Sequence, residues 1–388
     1  MFLRQKSIYL FLFCFIHSIK SQIVTVGASQ TEAYLPILKQ KKIALVVNQT
    51  STIGKTHLVD SFKKLGLDIQ CVFAPEHGFR GDASAGTHVN NGKDDKTGIQ
   101  IISLYGNHKK PTVEDLKGIT QVVFDIQDVG VRFYTYISTM HYVMEACAEN
   151  KISFLVLDRP NPNGYYIDGP VLDSNCKSFV GMHCIPLVHG CTVGEIAKMI
   201  NGENWLNGKI KCDLTIITCK NYNHTTPYIL PIKPSPNLQT QSSIYLYPSL
   251  GLLEGTHITM GHGTKKPYQC FGSSEFGWGN DTFRPYSIKG VSESPKFLGI
   301  ICKGFDLTNY GYTKAYTNKE VNLNWLIYAY NNSKNKSIFF TDFFEKLAGT
   351  KQLKLDIMAG KTATEIKQSW QKDITKYRTM RQKYLLYP

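Results

Sequence analysis

A chain of 388 residues can bury a sizeable core, and a composition that is 42% hydrophobic with no long low-complexity tract excludes a disordered or fibrous protein. Lys and Arg number 44 against 30 Asp and Glu, a formal charge of +14 that suits anionic partners such as cell-wall polymers, acidic sugars or membrane surfaces. No basic run is long enough to serve as a nucleic-acid arm, so no nucleic-acid partner is expected.

The chain opens with Arg4 and Lys6 ahead of the apolar run Ile8 to Ile16, followed by the small residues Ser18 and Ser21. This is the layout of a secretory signal peptide over residues 1–21, with a mature start near Gln22. The apolar run is too short to span a bilayer, and Phe13 before Cys14 is too bulky for a lipid-attachment box. An exported, periplasmic or secreted protein with no integral membrane segment is expected.

Ile43 to Val47 reads as a buried strand ending at Asn48. A helical pattern from His57 to Leu65 and a second strand from Ile69 to Phe73 complete a β-α-β unit. Pro75 cannot donate a ladder hydrogen bond, so pairing should stop there. Glu76, His77 and Arg80 then fall in a turn flexed by Gly78 and Gly81. In open α/β sheets ligands bind at the carboxyl ends of strands. An active-site loop and an ion-paired turn without chemistry stand level on spacing alone.

Ile99 to Tyr105 is a further strand, and Thr112 followed by Glu114 and Asp115 has the look of a helix start. Gln121 to Ile126 is a buried strand whose end carries Asp125, Gln127 and Asp128 before Gly130 and Arg132. Ile137, Met140, His141, Met144 and Ala148 fall on one helix face, with His141 read as a core histidine. Ile152 to Leu157 ends in Asp158, Arg159 and Asn163. This alternation predicts an α/β fold, a doubly wound parallel sheet. Val193 to Leu206 adds a helix and Cys212 to Thr218 a strand, before Pro227, Pro231, Pro234 and Pro236 interrupt the pattern. A domain of residues 22–238 and a smaller α+β domain of residues 239–388 are expected, the latter with late helices at Phe339 to Leu347 and Ala363 to Arg378.

Ten cysteines occur, none in a CxxC pair, and removal of the leader with Cys14 leaves an odd number. Few or no disulfides are expected, Cys176, Cys184 and Cys191 being the one cluster worth testing. The chain lacks a G-x-G-x-x-G after its first strand, a Walker A lysine, a G-x-S-x-G elbow and H-E-x-x-H. His183 and His189 are read as loop histidines rather than metal ligands, and no cofactor is expected. What survives is a set of strand-end charges: Glu76, Asp125, Asp128 and Asp158 with Arg80, Arg132 and Arg159. Carboxylates supply the acid and partner group of glycoside cleavage, and arginines hold anionic groups bidentately. Plain structural ion pairs carry about half the weight for any single pair.

The same stretches carry a resemblance. APEHGFRG at 74–81, FDIQDVGVRFYTYISTM at 124–140, LDRPNPNG at 157–164, DGPVLD at 168–173, SFVGMH at 178–183, PSPNL at 234–238 and LYPSLGLLEGT at 246–256 closely resemble the exo-β-N-acetylmuramidase family of the NamZ type. The resemblance implies a Rossmann-like amino-terminal domain, a smaller carboxyl-terminal domain and an active-site cleft between them. It implies release of N-acetylmuramic acid from the non-reducing ends of peptidoglycan-derived disaccharides or glycan chains. Glu76 is then the expected catalytic acid. Asn48, His77, Arg80, Asp125, Gln127, Asp128, Arg132, Arg159 and Asn163 are the expected substrate-binding residues, with Arg80, Arg132 and Arg159 as candidates for the lactyl carboxylate. One departure stands out in Gly261-His262-Gly263-Thr264, where the family is expected to carry arginine at the position of His262. A non-catalytic periplasmic binding protein for muropeptides or sugars and an ester or amide hydrolase acting on the same polymer are the competing readings.

Overall fold

The structure is a computed structural model that describes residues 23–76, 78–80 and 91–388. The expected leader at 1–21 and His77 lie outside the described residues. Lys42–Val47 (β1) buries five side chains in succession, as a strand covered on both faces must. The sheet continues through Asp68–Ala74 (β2), Gly92–Lys93 (β3), Gln100–Ser103 (β4), Gln121–Asp125 (β5), Ser153–Leu157 (β6) and Leu214–Ile217 (β7). Its order is β7-β6-β5-β1-β2-β4-β3, parallel throughout except for the two-residue edge strand β3.

Alternation along the strands divides the core between the two faces. Ile43, Leu45 and Val47 pack with Val72, Val123 and Leu155 on one side. Ala44 and Val46 pack with Phe73, Phe124 and Phe154 on the other. From β1 the chain winds outward to β2 and β4, then returns to the far side of β1 and winds outward again through β5, β6 and β7. The direction reverses between β1 and β5. The loops leaving the two strands there are tied together, the Gln127 amide donating to the Thr50 hydroxyl at 3.0 Å and the Ser51 hydroxyl to the Asp125 carbonyl.

Leu58–Lys64 (α1), Tyr136–Glu149 (α2) and Val193–Gly202 (α3) cover the sheet. A capping box between Thr192 and Glu195 starts α3, which stops at Gly202, four residues short of the expected Leu206. The helix expected at Thr112 does not form. Thr112 donates from both its amide and its hydroxyl to Asp115 Oδ2 at 2.7 Å, which makes a cap, but the turns reach Gly118 in the left-handed region (φ 77°) before a helix can propagate.

Beyond the proline-rich segment, Gln241–Leu250 (α4) leads into an antiparallel three-stranded sheet of Cys270–Ser273 (β8), Asp281–Phe283 (β9) and Cys302–Asp306 (β10). Asn324–Asn331 (α5), Phe343–Ala348 (α6), Gln352–Met358 (α7) and Ala363–Gln382 (α8) complete the chain. The two halves share one continuous core, in which Phe124 and Val156 belong with Leu250, Phe344 and Trp370. The chain end also folds back on the first half, where Tyr377 donates to the His189 carbonyl at 2.7 Å. No helix among the described residues is long and apolar enough to cross a membrane.

Candidate functional site

At the end of β2 the ladder stops at Pro75 and the chain turns, the Gly78 amide closing on the Pro75 carbonyl at 3.1 Å. This turn delivers Glu76 to a cavity of about 510 Å³ over the carboxyl edge of the sheet. Tyr105, just past the end of neighbouring β4, donates its hydroxyl to Glu76 Oε1 at 3.2 Å. Two adjacent strand ends thus set an acid and a phenol side by side.

The opposite wall comes from the second half of the chain. After α4 a short 3-10 segment, Gly251–Gly255, presents Glu254 to the same cavity. Tyr268 donates to the Glu254 carboxylate from a backbone in the left-handed region (φ 53°), an uncommon conformation for a bulky residue and one that the surroundings must enforce. Burial raises the Glu254 pKa and the charge of Glu76 adds to the rise, while Tyr268 and the Lys296 ammonium pull it back. Lys296 itself is turned to the backbone carbonyls of Glu254, Thr256 and Ile258, which braces this wall.

Aromatic rings join the two sides. Tyr134 stands edge-on to Tyr136 at 4.9 Å and to Tyr247 at 6.0 Å, and Tyr247 stands edge-on to Tyr268 at 4.9 Å. Three polar groups of the lining, the Tyr136 hydroxyl, Asn237 Oδ1 and His262 Nε2, are buried without a hydrogen-bond partner. A buried polar atom left unpaired is costly, and a hydroxyl-rich ligand would satisfy it. His262 is presented by Gly261 (φ 81°), where a Cβ would meet the Lys266 carbonyl oxygen at 2.5 Å.

The other expected binding residues lie beneath or beside this cavity. Arg80 forks onto Asp94 at 2.8 and 2.7 Å and reaches Asp60 at 3.1 Å. Arg132 is fully buried, and its guanidinium donates to the carbonyls of Pro170, Ile185, Leu347 and Ala348. Arg159 is buried against Asp125, with one contact at 2.9 Å, and also reaches the Thr52 carbonyl. None of these three arginines lines the cavity, and each is held mainly by partners inside the protein.

Asp125, expected to bind substrate, is the inner half of that pair. Asp128 caps the Gly130 amide at 2.6 Å, and burial lifts its pKa to about 7. Gln127 bridges the carbonyls of Asp128 and Pro160. Asn163 holds those of Val129 and Ile244, and Asn48 accepts from Thr50. These four residues fix the loops that carry the cavity lining rather than the lining itself. His141 is a core histidine as expected, bonded through Nδ1 to His183 Nε2 at 3.0 Å. His189 is buried too, its pKa pushed down to about 3 by desolvation. Among the described residues no three His, Cys, Asp or Glu side chains gather as a metal site, and Cys176, Cys184 and Cys191 are free thiols.

Glu254 is the functional candidate that sequence reasoning missed. Its signal was present: it is the lone charge in the apolar stretch Leu250 to Gly255. An isolated carboxylate in such a run needs a special reason to be there.

An α/β sheet with two carboxylates facing one tyrosine-lined cavity defines a class of construction that glycoside cleavage uses. Comparison with known proteins makes the family specific. The models for the N-terminal and C-terminal parts of exo-beta-N-acetylmuramidase NamZ match residues 43–242 and 245–387. The chain is 38% identical over 379 residues to the peptidoglycan beta-N-acetylmuramidase NamZ of Bacillus subtilis (strain 168), covering 91% of this chain and 89% of that one. A crystal structure of a DUF1343 family protein from Bacteroides fragilis NCTC 9343 superposes with a TM-score of 0.88 at 45% identity, over 94% of this chain and 99% of that one. A second DUF1343 family protein from the same organism gives 0.77 at 27% identity with the same coverage. The chain belongs to the exo-β-N-acetylmuramidase NamZ family.

Proposed function

We propose that this enzyme is an exo-acting glycoside hydrolase that releases N-acetylmuramic acid from the non-reducing ends of peptidoglycan fragments. The observation that carries the proposal is the placement of Glu76 and Glu254 in one cavity, in a chain 38% identical to a peptidoglycan beta-N-acetylmuramidase. Glu76 is the proton donor to the glycosidic oxygen of the departing sugar. Tyr105 orients it, and a general acid so placed contributes about 10²–10⁴-fold. Glu254 is the ionised partner. The Tyr268 hydroxyl and the nearby Lys296 ammonium favour its charged form, as a group facing the positive charge that develops at the anomeric carbon requires. The tyrosine rings offer apolar faces to the pyranose, and Asn237 and His262 offer it hydrogen-bonding atoms.

In this reading the sheet domain is Rossmann-like and the cavity is the active-site cleft between it and the smaller carboxyl-terminal domain. The chain is exported, as Arg4, Lys6 and the apolar run before Ser21 suggest. Amino-terminal sequencing of the recovered protein checks that part: a start near Gln22 is expected, and an uncleaved cytoplasmic chain contradicts it. The activity is tested on peptide-free glycan oligomers that end in N-acetylmuramic acid. Stepwise appearance of the free monosaccharide is expected. Internal fragments, or no release at all, would overturn the assignment.

A further inference from the structure

An anionic sugar lying beside two carboxylates needs a cation, and the expected arginines are engaged elsewhere. Lys296 is directed to backbone carbonyls, and His262 is neutral at working pH because burial pushes its pKa down to about 4. Lys109 is the one lysine or arginine lining the main cavity among the described residues. Its neighbour Lys110 is tied to Glu145 and Glu149. The Lys109 ammonium instead lies 4.8 Å from the centre of the Phe179 ring, and no carboxylate pairs with it among the described residues.

Lys109 and Phe179 also line a second cavity of about 320 Å³ that adjoins the first. Phe179 stacks there on Tyr142 at 6.3 Å and 11°. Farther in, Trp205 stacks on His183, whose buried Nδ1 has no partner. Lys177 adds a second ammonium to this lining. An ammonium held over an aromatic face, with a second ammonium in the same lining, can receive a carboxylate on a short carbon stem.

Resting on the proposed muramidase reading, we propose that Lys109 is a specificity-determining residue whose ammonium, at the junction of the two cavities, binds a carboxylate carried on the 3-O-substituent of the muramic residue. The lactyl ether carries that carboxylate itself. An amino acid joined to the lactyl group carries one a residue farther out, and the second cavity has room for it. N-acetylglucosamine has neither.

The test is calorimetric binding of sugars that the enzyme does not turn over. The ligands are N-acetylmuramic acid, its methyl ester, N-acetylmuramoyl-L-alanine and N-acetylglucosamine. The proteins are the wild type, Lys109→Met, Lys109→Arg and the exposed-site charge control Lys372→Met. Wild type should bind the free acid about 10- to 100-fold more tightly than the ester, the worth of a charge-assisted hydrogen bond. That difference should vanish in Lys109→Met, survive in part in Lys109→Arg and persist in Lys372→Met. Loss of affinity for N-acetylmuramoyl-L-alanine in Lys109→Met, with the free acid bound as weakly as its ester, assigns the peptide carboxylate as the source. Equal binding of acid, ester and alanyl derivative to wild type overturns the inference, as does a full preference in Lys109→Met. No binding of any of these sugars to the wild type overturns the muramidase reading itself and this inference with it.

Discussion

At the carboxyl ends of β5 and β6, charge is answered by charge or by backbone. Arg159 is spent on Asp125, and Asp158 takes the amide of Gly194 at 2.9 Å with the hydroxyls of Thr192 and Tyr387. Around the cavity above, Glu76 has one hydroxyl bonded to it among the described residues, Lys109 has an aromatic face, and Asn237 and His262 each leave an atom unpaired. Both places carry charged side chains. What separates the Asp125–Arg159 and Asp158 clusters from the cavity lining is how many of their donors and acceptors the fold itself has already consumed.

The largest effect should come from the upper region. Glu76→Gln should lower kcat for a muramyl disaccharide by about 10²–10⁴-fold while the thermal unfolding curve stays where it was. A change of less than about tenfold would move the acid elsewhere. The lower region should answer in stability. Arg159→Met leaves Asp125 charged and unpaired in the core and should cost about 3–5 kcal/mol in urea unfolding, with the folded fraction still active. A stable but inactive Arg159→Met would erase the distinction between the two regions.

Tyr268→Phe sharpens the comparison through pH. In the proposed mechanism Glu254 works ionised, and burial raises its pKa, so the acidic limb of kcat/KM should stand above the ordinary glutamate value. Removing the hydroxyl that favours the anion should move this limb up by about one pH unit. A limb that moves down, or stays, assigns the ionised role to another group.

The smallest effect is expected at Arg80, which is 24% exposed. Arg80→Met should cost about 1 kcal/mol at neutral pH. Arg80 holds Asp94 well below the usual carboxylate range, so the stability from this pair is present above the unfolded-state pKa of aspartate. It is lost as the pH falls through the depressed folded value. The gap between wild type and variant should therefore shrink as the pH drops below about 4, followed by thermal unfolding at several pH values.

The parallel sheet was legible because runs such as Ile43–Val47 and Gln121–Asp125 have the length and apolarity that burial on both faces demands. Glu76 was legible because Pro75 stops its strand. The partners of the arginines were not legible, because a guanidinium at a strand end looks the same whether it awaits a ligand or meets Asp125, and only tertiary structure decides. Glu254 stood out as a lone charge in an apolar stretch, but its role and that of Lys109 were subject to the same limit. Their significance rests on facing Glu76 across a cavity that elements distant in sequence enclose. The missing helix at Thr112 shows the converse, a sound cap defeated within one turn by a glycine.

The central claim is that Glu76 donates the proton to the leaving sugar, and leaving-group dependence tests it most directly. Wild type and Glu76→Gln are compared on a muramyl disaccharide and on an aryl N-acetylmuramide whose phenol departs without protonation. The account predicts a loss of about 10²–10⁴-fold on the disaccharide and a much smaller loss on the aryl substrate. Equal losses on both substrates would contradict it.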